Sequence, residues 1–233
     1  MKRLFFIITV FFALTFSVNA ATYTAYFSNA ATGNATGTDT AVALSDCQGG
    51  DAANTCSTLA HAQAYIELAG SGDTVNLYFD RTDTWTMNTD AIVTTTVFGI
   101  AIGADDPIVN IDAYGSGAKP KFYGTVSSGG TWFDAVPSHN STTGPKYWST
   151  IFMFEKDGCS VKNIHIDGVY GCGIIIGASG SDADNFTLES CDITNFGAAA
   201  IKASDYYGTQ GAIITKNLIH TGQQLYRYGK YWS

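Results

Sequence analysis

Three stretches near the C-terminus decide the architecture: VKNIHIDGVYGCGIII (161–176), LESCDITNFGAAAIKA (188–203) and ITKNLIHTG (214–222). Placed one above another, they align Val161 with Leu188 and Ile214, and Ile164 with Cys191 and Asn217. Ile166 falls on Ile193 and Ile219, and Ile174 on Ile201. The first step is 27 residues, from 161 to 188, and the second is 26, from 188 to 214. No unit carries a long helical apolar stripe. Each reads as two or three short strands broken by Asp, Asn or Gly. A helix-free repeat of this length excludes ankyrin and tetratricopeptide arrays and fits one coil of a parallel β-helix, whose backbone pairs with the coils above and below. Equivalent side chains then stack at about 4.8 Å. Val161, Leu188 and Ile214 form one inward ladder, and Asn217 beneath Cys191 must satisfy its amide on turn backbone. Cys159, Cys172 and Cys191 sit in apolar contexts, and Cys172 and Cys191 read as small, inert core residues.

Upstream, DTVNLYF places Val75, Leu77 and Phe79 on one side of a strand. The segments AIVTTTVFGIAI, PIVNIDAY, KPKFYG and TIFMFE are further strand candidates. CSTLAHAQAYIELAG reads as a helix over Ser57–Ala69, capped by Ser57 and ended by Gly70, with Leu59, Ala62, Ile66 and Ala69 on one face. In AGSGDTVNLYFDRTDTW (69–85), Asp73, Asp80, Arg81 and Asp83 are expected to be turn and rim residues at the start of the solenoid.

The first twenty residues combine Lys2 and Arg3, an apolar run and a Val-Asn-Ala end, the pattern of a secretory signal peptide. A secreted protein, extracellular or periplasmic, is expected. Residues 21–80 would supply the first strand, loop and capping helix, and 81–233 the coils. The formal charge is −8, and removal of Lys2 and Arg3 takes it to −10. With 20 Asp and Glu, no basic patch remains to neutralise phosphates, so a nucleic-acid partner is not expected. No second apolar segment is long enough for a membrane span. Cys47 and Cys56 flank a short polar loop and could close it as a disulfide. Asn34, Asn140 and Asn185 stand in glycosylation sequons.

With the strand and loop TAYFSNAATGNATGTDT, the Ser/Thr-led helix, the Gly72–Val75 strand start and IDAYGSGAKPKFYG (111–124), the chain resembles secreted right-handed parallel β-helix proteins of the pectate-lyase-like superfamily. The resemblance spans essentially the whole chain after residue 20. It implies an all-β solenoid and a polysaccharide or cell-surface glycan partner, with the protein expected to act as a monomer. It also implies, as one activity, a Ca²⁺-assisted lyase of acidic polysaccharide that removes a proton α to a uronate carboxylate and then β-eliminates. A lyase is favoured over a glycoside hydrolase, although the Arg-Xaa-Pro-Xaa-Arg motif of many pectate lyases is absent, as are the polygalacturonase motifs. The scaffold hosts unrelated functions. A non-catalytic adhesion or display module therefore stays open, as does a fragment whose catalytic coils lie beyond Ser233.

Candidate site residues follow from the alternation. With Ile164 and Ile166 inward, His165 lies beside Asp192, and Thr194 beside His220, on one outer face. A His–Asp pair could bind a metal or tune a base; a solvated sheet face with cross-strand pairs is the competing reading. Asp182 and Asp184, with Asp205 in the next coil, offer oxygen ligands of the kind Ca²⁺ takes, against ordinary turn chemistry. Lys202 is the candidate base if that face is catalytic. In the tail, Tyr228 and Trp232 could stack on sugar rings, and Arg227 and Lys230 could meet uronates. Alternatively, the tail covers the open end of the solenoid.

Overall fold

The structure, a computed structural model, describes residues 20–30, 43–50, 55–88, 97–125, 150–169, 171–177, 181, 183–197, 199–203 and 209–220. The signal-peptide reading of residues 1–20 lies outside them except for Ala20, as do the sequons at Asn34 and Asn140.

Among the described residues, fifteen short strands and one helix make an all-β parallel β-helix. Sheet A holds β1 (Thr22–Phe27), β2 (Thr74–Asp80), β5 (Ile108–Tyr114), β8 (Ser160–Lys162), β11 (Thr187–Glu189) and β14 (Ile213–Thr215). Sheet B holds β3 (Thr84–Asn88), β6 (Lys121–Thr125), β9 (His165–Asp167), β12 (Asp192–Thr194) and β15 (Leu218–His220). Sheet C holds β4 (Val97–Ile102), β7 (Thr150–Phe154), β10 (Cys172–Ile176) and β13 (Ala199–Ala203). After β1, which pairs with β2 in sheet A, the chain visits A, B and C in turn, and each strand pairs in parallel with its counterpart in the next coil. The described residues form β1, four three-strand coils and two strands of a fifth.

The register reproduces the repeat. Leu188 pairs with Val161 and Ile214, Ile193 with Ile166 and Ile219, and Ile201 with Ile174. Val161, Leu188, Ile166, Ile193 and Ile174 are fully buried, each contributing roughly 1.5–3 kcal/mol of apolar burial. The corner from sheet A to sheet B is a single left-handed residue at the repeat spacing: Asn163, Ser190 and Lys216, with φ of 56°, 56° and 57°. The next position stacks Ile164, Cys191 and Asn217. There Asn217 Oδ1 accepts the Cys191 N–H at 2.8 Å, and its Nδ2 donates to the Leu188 carbonyl at 3.0 Å. That is the satisfied amide which the alignment requires. Aromatic rings fill the wider early coils. Phe122 lies 5.0 Å from Phe79, 5.4 Å from Trp85 and 4.9 Å from Phe152, joining all three sheets.

The capping helix α1 is Leu59–Glu67, shorter than expected, and its N-cap is Thr58 rather than Ser57. Thr58 has extended backbone angles and its hydroxyl accepts the His61 N–H at 3.1 Å, the geometry a cap requires. The chain leaves the helix through Leu68 in a right-handed conformation, so Gly70 is not the stop. Instead, Asp73 closes the turn by accepting the Gly70 N–H at 2.9 Å and the Ala21 N–H at 2.8 Å. The buried face adds His61 and Tyr65 to Ala62 and Ile66. Strand β3 was not among the sequence candidates, because its Thr84-Trp85-Thr86-Met87 alternation is brief and follows a charged turn.

Open strand edges invite unwanted pairing. At the N-terminal end of the solenoid they are covered. Gln63 of α1 gives its amide to Ala101 of β4, donating to its carbonyl at 3.1 Å and accepting its N–H at 3.0 Å. The loop joined by the Cys47–Cys56 disulfide covers β1: Cys47 O accepts Tyr26 N–H, Tyr26 O accepts Cys56 N–H, and Cys56 O accepts Ser28 N–H, at 2.7–2.9 Å. The paired change Cys47→Ser/Cys56→Ser is expected to lower stability by about 2–3 kcal/mol, the loop-closure value for a ring of this size. A denaturant midpoint equal to the parent's would contradict that role. No helix among the described residues is long and apolar enough to cross a membrane.

Candidate functional site

Two outer faces concentrate polar chemistry. On sheet A, inward Val75, Leu77, Val109, Ile111 and Val161 are fully buried, so the alternating positions face outward. One outward column runs Thr24, Asn76, Asn110, Ser160, Thr187. Within it Ser160 Oγ donates to Asn110 Oδ1 at 2.7 Å, and Asn110 Nδ2 donates to Asn76 Oδ1 at 3.0 Å. These bonds use one of the two N–H donors of Asn110 and none of those of Asn76. Beside it Tyr26 pairs with Tyr78, Tyr78 with Asp112, and Lys162 with Glu189. Tyr78 stacks on Tyr26 with centroids 5.4 Å apart. Asn76, Tyr78, Asn110, Asp112, Ser160 and Lys162 line an open groove of about 260 Å³.

On sheet B the network is closed. Asp167, 8% exposed, accepts Lys121 Nζ at 3.0 Å on Oδ2, and Thr194 Oγ1 at 2.9 Å and Asn195 Nδ2 at 2.6 Å on Oδ1. Burial pushes its carboxyl upward, but the hydrogen bonds from Asn195, Lys121 and Thr194 outweigh that and hold it below the usual carboxylate range. Thr194 has one hydroxyl proton, and Asp167 takes it. The 3.1 Å contact between His165 Nε2 and Thr194 Oγ1 therefore has the imidazole donating, which fixes the Nε2–H tautomer. Burial, and then the Lys121 cation, lower the affinity of His165 for a second proton. Lys119 forms a 2.7 Å ion pair with Asp192. Gly168, at φ +72°, permits this packing: a Cβ there would meet the Gly124 carbonyl oxygen at 2.6 Å and the Tyr123 ring at 2.9 Å.

No family model, curated protein or solved structure matches this chain.

The structure brings His165 and Asp192 into direct register, and Thr194 beside His220, as the alternation required. The expected His165–Asp192 pairing does not form as a bond. Asp192 turns to Lys119, and the ring of His165 reaches diagonally to Thr194. Lys202 sits on sheet C, paired with Ile175, and not in the sheet B cluster. Asp184 works in the turns: its N–H donates to Asp157 and its Oδ1 accepts the Gln210 N–H at 2.7 Å. Asp182, Asp205, Arg227, Tyr228, Lys230 and Trp232 lie outside the described residues. Cys159, Cys172 and Cys191 are buried thiols, and burial pushes each up to about 11, away from reactivity.

The groove residues and the two lysines were missed by the sequence reading. Asn76 and Asn110 stand 34 positions apart, and Asn110 and Ser160 stand 50 apart. Such uneven spacing hides the column from a 26–27-residue repeat. The faint signal was the repeated apolar–Asn–apolar pattern of VNL and VNI.

Proposed function

We propose that this chain is an extracellular, polysaccharide-interacting β-helix akin to the pectate-lyase-like proteins, and that it holds a glycan along the outer face of sheet A. One observation carries the reading: the open groove is lined by amides, a hydroxyl, a carboxylate, an ammonium and an aromatic ring, with no aliphatic side chain among them. Sugars present hydroxyls around a weakly apolar ring face, so amides that donate and accept and a carboxylate that accepts are matched to them, and Tyr78 offers a stacking surface. The columns repeat at the coil spacing of about 4.8 Å, comparable to one sugar unit, which suits a linear polymer lying along the solenoid axis. The sheet B cluster has its charges paired and reads as a brace rather than a binding surface.

The test is affinity electrophoresis or calorimetry of the full chain against neutral and acidic polysaccharides. Binding to at least one polymer is expected, with the double change Asn110→Ala/Ser160→Ala weakening it about tenfold, the size of two lost hydrogen bonds. Binding undiminished in that variant would place the glycan elsewhere.

A further inference from the structure

Resting on the sheet A groove as a glycan site, we infer that it selects uncharged sugar units with adjacent hydroxyls and discriminates against uronates. Asp112 Oδ1 accepts the Asn163 side-chain N–H at 2.8 Å. The same oxygen accepts the Ala113 backbone N–H at 2.7 Å, and both partners are neutral amides, which leave the carboxylate's negative charge in place. The cation on the groove lining, Lys162, lies 3.6 Å from Glu189 Oε2. Glu189 in turn pairs with Lys216 at 2.8 Å. Glu189 is thus shared between Lys162 and Lys216, so the side chains of Asp112, Lys162, Glu189 and Lys216 sum to zero charge. The groove offers a uronate no net positive charge, and beside Asp112 it meets a like charge. The chain as a whole, at −8, adds long-range repulsion for a polyanion.

The neutral part of the lining points the same way. Ser160, Asn110 and Asn76 form a directional chain in which hydroxyl and amide donors run toward Asn76. Asn76 contributes amide donors at one end, and Asp112 contributes a carboxylate acceptor in the adjacent column. A vicinal diol needs that combination, because one hydroxyl accepts from the amide while its neighbour donates to the carboxylate. The groove, at about 260 Å³, is smaller than the roughly 300–1,000 Å³ of enclosing small-molecule pockets. It therefore fits one ring of a longer chain, with Tyr78 alongside.

The experiment titrates the full chain with a neutral oligosaccharide series (glucan, mannan and xylan oligomers) and with oligogalacturonate and oligoguluronate, at low and high salt. Expected is binding of a neutral oligomer that changes less than about twofold with salt, since no counterion is released. Asn76→Ala and Tyr78→Ala should each weaken it on the order of five- to tenfold. Uronate binding should be undetectable or at least tenfold weaker, and Asp112→Asn should narrow the neutral-to-uronate ratio. Uronates binding more tightly than neutral sugars, with loss in Asn76→Ala, would overturn the selectivity while leaving the groove as the glycan site. Binding of no sugar in either series, or binding untouched by Asn76→Ala and Tyr78→Ala, would overturn the site itself.

Discussion

Replacing Phe122 by Ala is expected to destabilise the protein by about 3–5 kcal/mol, the range for deleting a buried aromatic ring. Phe122 is fully buried and is the node at which Phe79 of sheet A, Trp85 of sheet B and Phe152 of sheet C meet. A cavity there cannot collapse easily, because each neighbour is held by its own strand pairing in a different sheet. The adjacent residue supplies the control. Tyr123 is 38% exposed on the outer face, with Lys121 Nζ 5.8 Å above its ring. Tyr123→Ala should therefore cost within about 1 kcal/mol. Equal losses at 122 and 123, measured by denaturant unfolding, would mean that β6 is not alternating as described.

Asp167→Ala is expected to cost about 2–3 kcal/mol, because it strands Lys121, Thr194 and Asn195 at once. The pH dependence separates this loss from simple packing. The carboxyl is held below its ordinary value of about 3.9 in the folded chain, so the unfolded state binds more protons as pH falls through that value. The contribution of Asp167 is thus fully present above about pH 4 and fades as pH drops toward its folded value. The stability gap between parent and variant should be constant from neutral pH down to about 4 and shrink below that. A gap that keeps its size at lower pH would show that the carboxylate's hydrogen bonds are not what stabilises this corner.

The late coils were readable from sequence because they are short and regular. Val161, Leu188 and Ile214 recur at nearly constant spacing, and the Cys191–Asn217 corner follows from the requirement that an amide at a stacked corner find backbone partners. The early coils were not readable in the same way, since turns of unequal length separate Asn76, Asn110 and Ser160 and break the period. Strand positions also proved easier to read than side-chain partners. The His165–Asp192 register follows from the alternation, but bond choice depends on diagonal reach and on Lys119, 73 residues from Asp192. Thr58 displaced Ser57 as helix cap for a similar reason: both are acceptable residue types, and only backbone angles choose between them. Five of the six groove residues lay in strands that were expected or in the repeat itself, and Ser160 stands one residue before the repeat, yet nothing local marked them as neighbours.

The coil register underlies the groove, the brace and the core together, and one measurement tests it directly. In a sample with labelled Ile, Leu and Val methyl groups, nuclear Overhauser contacts should join Leu188 to Val161 and Leu188 to Ile214. Val161 and Ile214, two coils apart at about 9.6 Å, should show none of comparable strength. Absence of both Leu188 contacts, or their replacement by contacts shifted by one residue along either strand, would contradict the stacked β-helix.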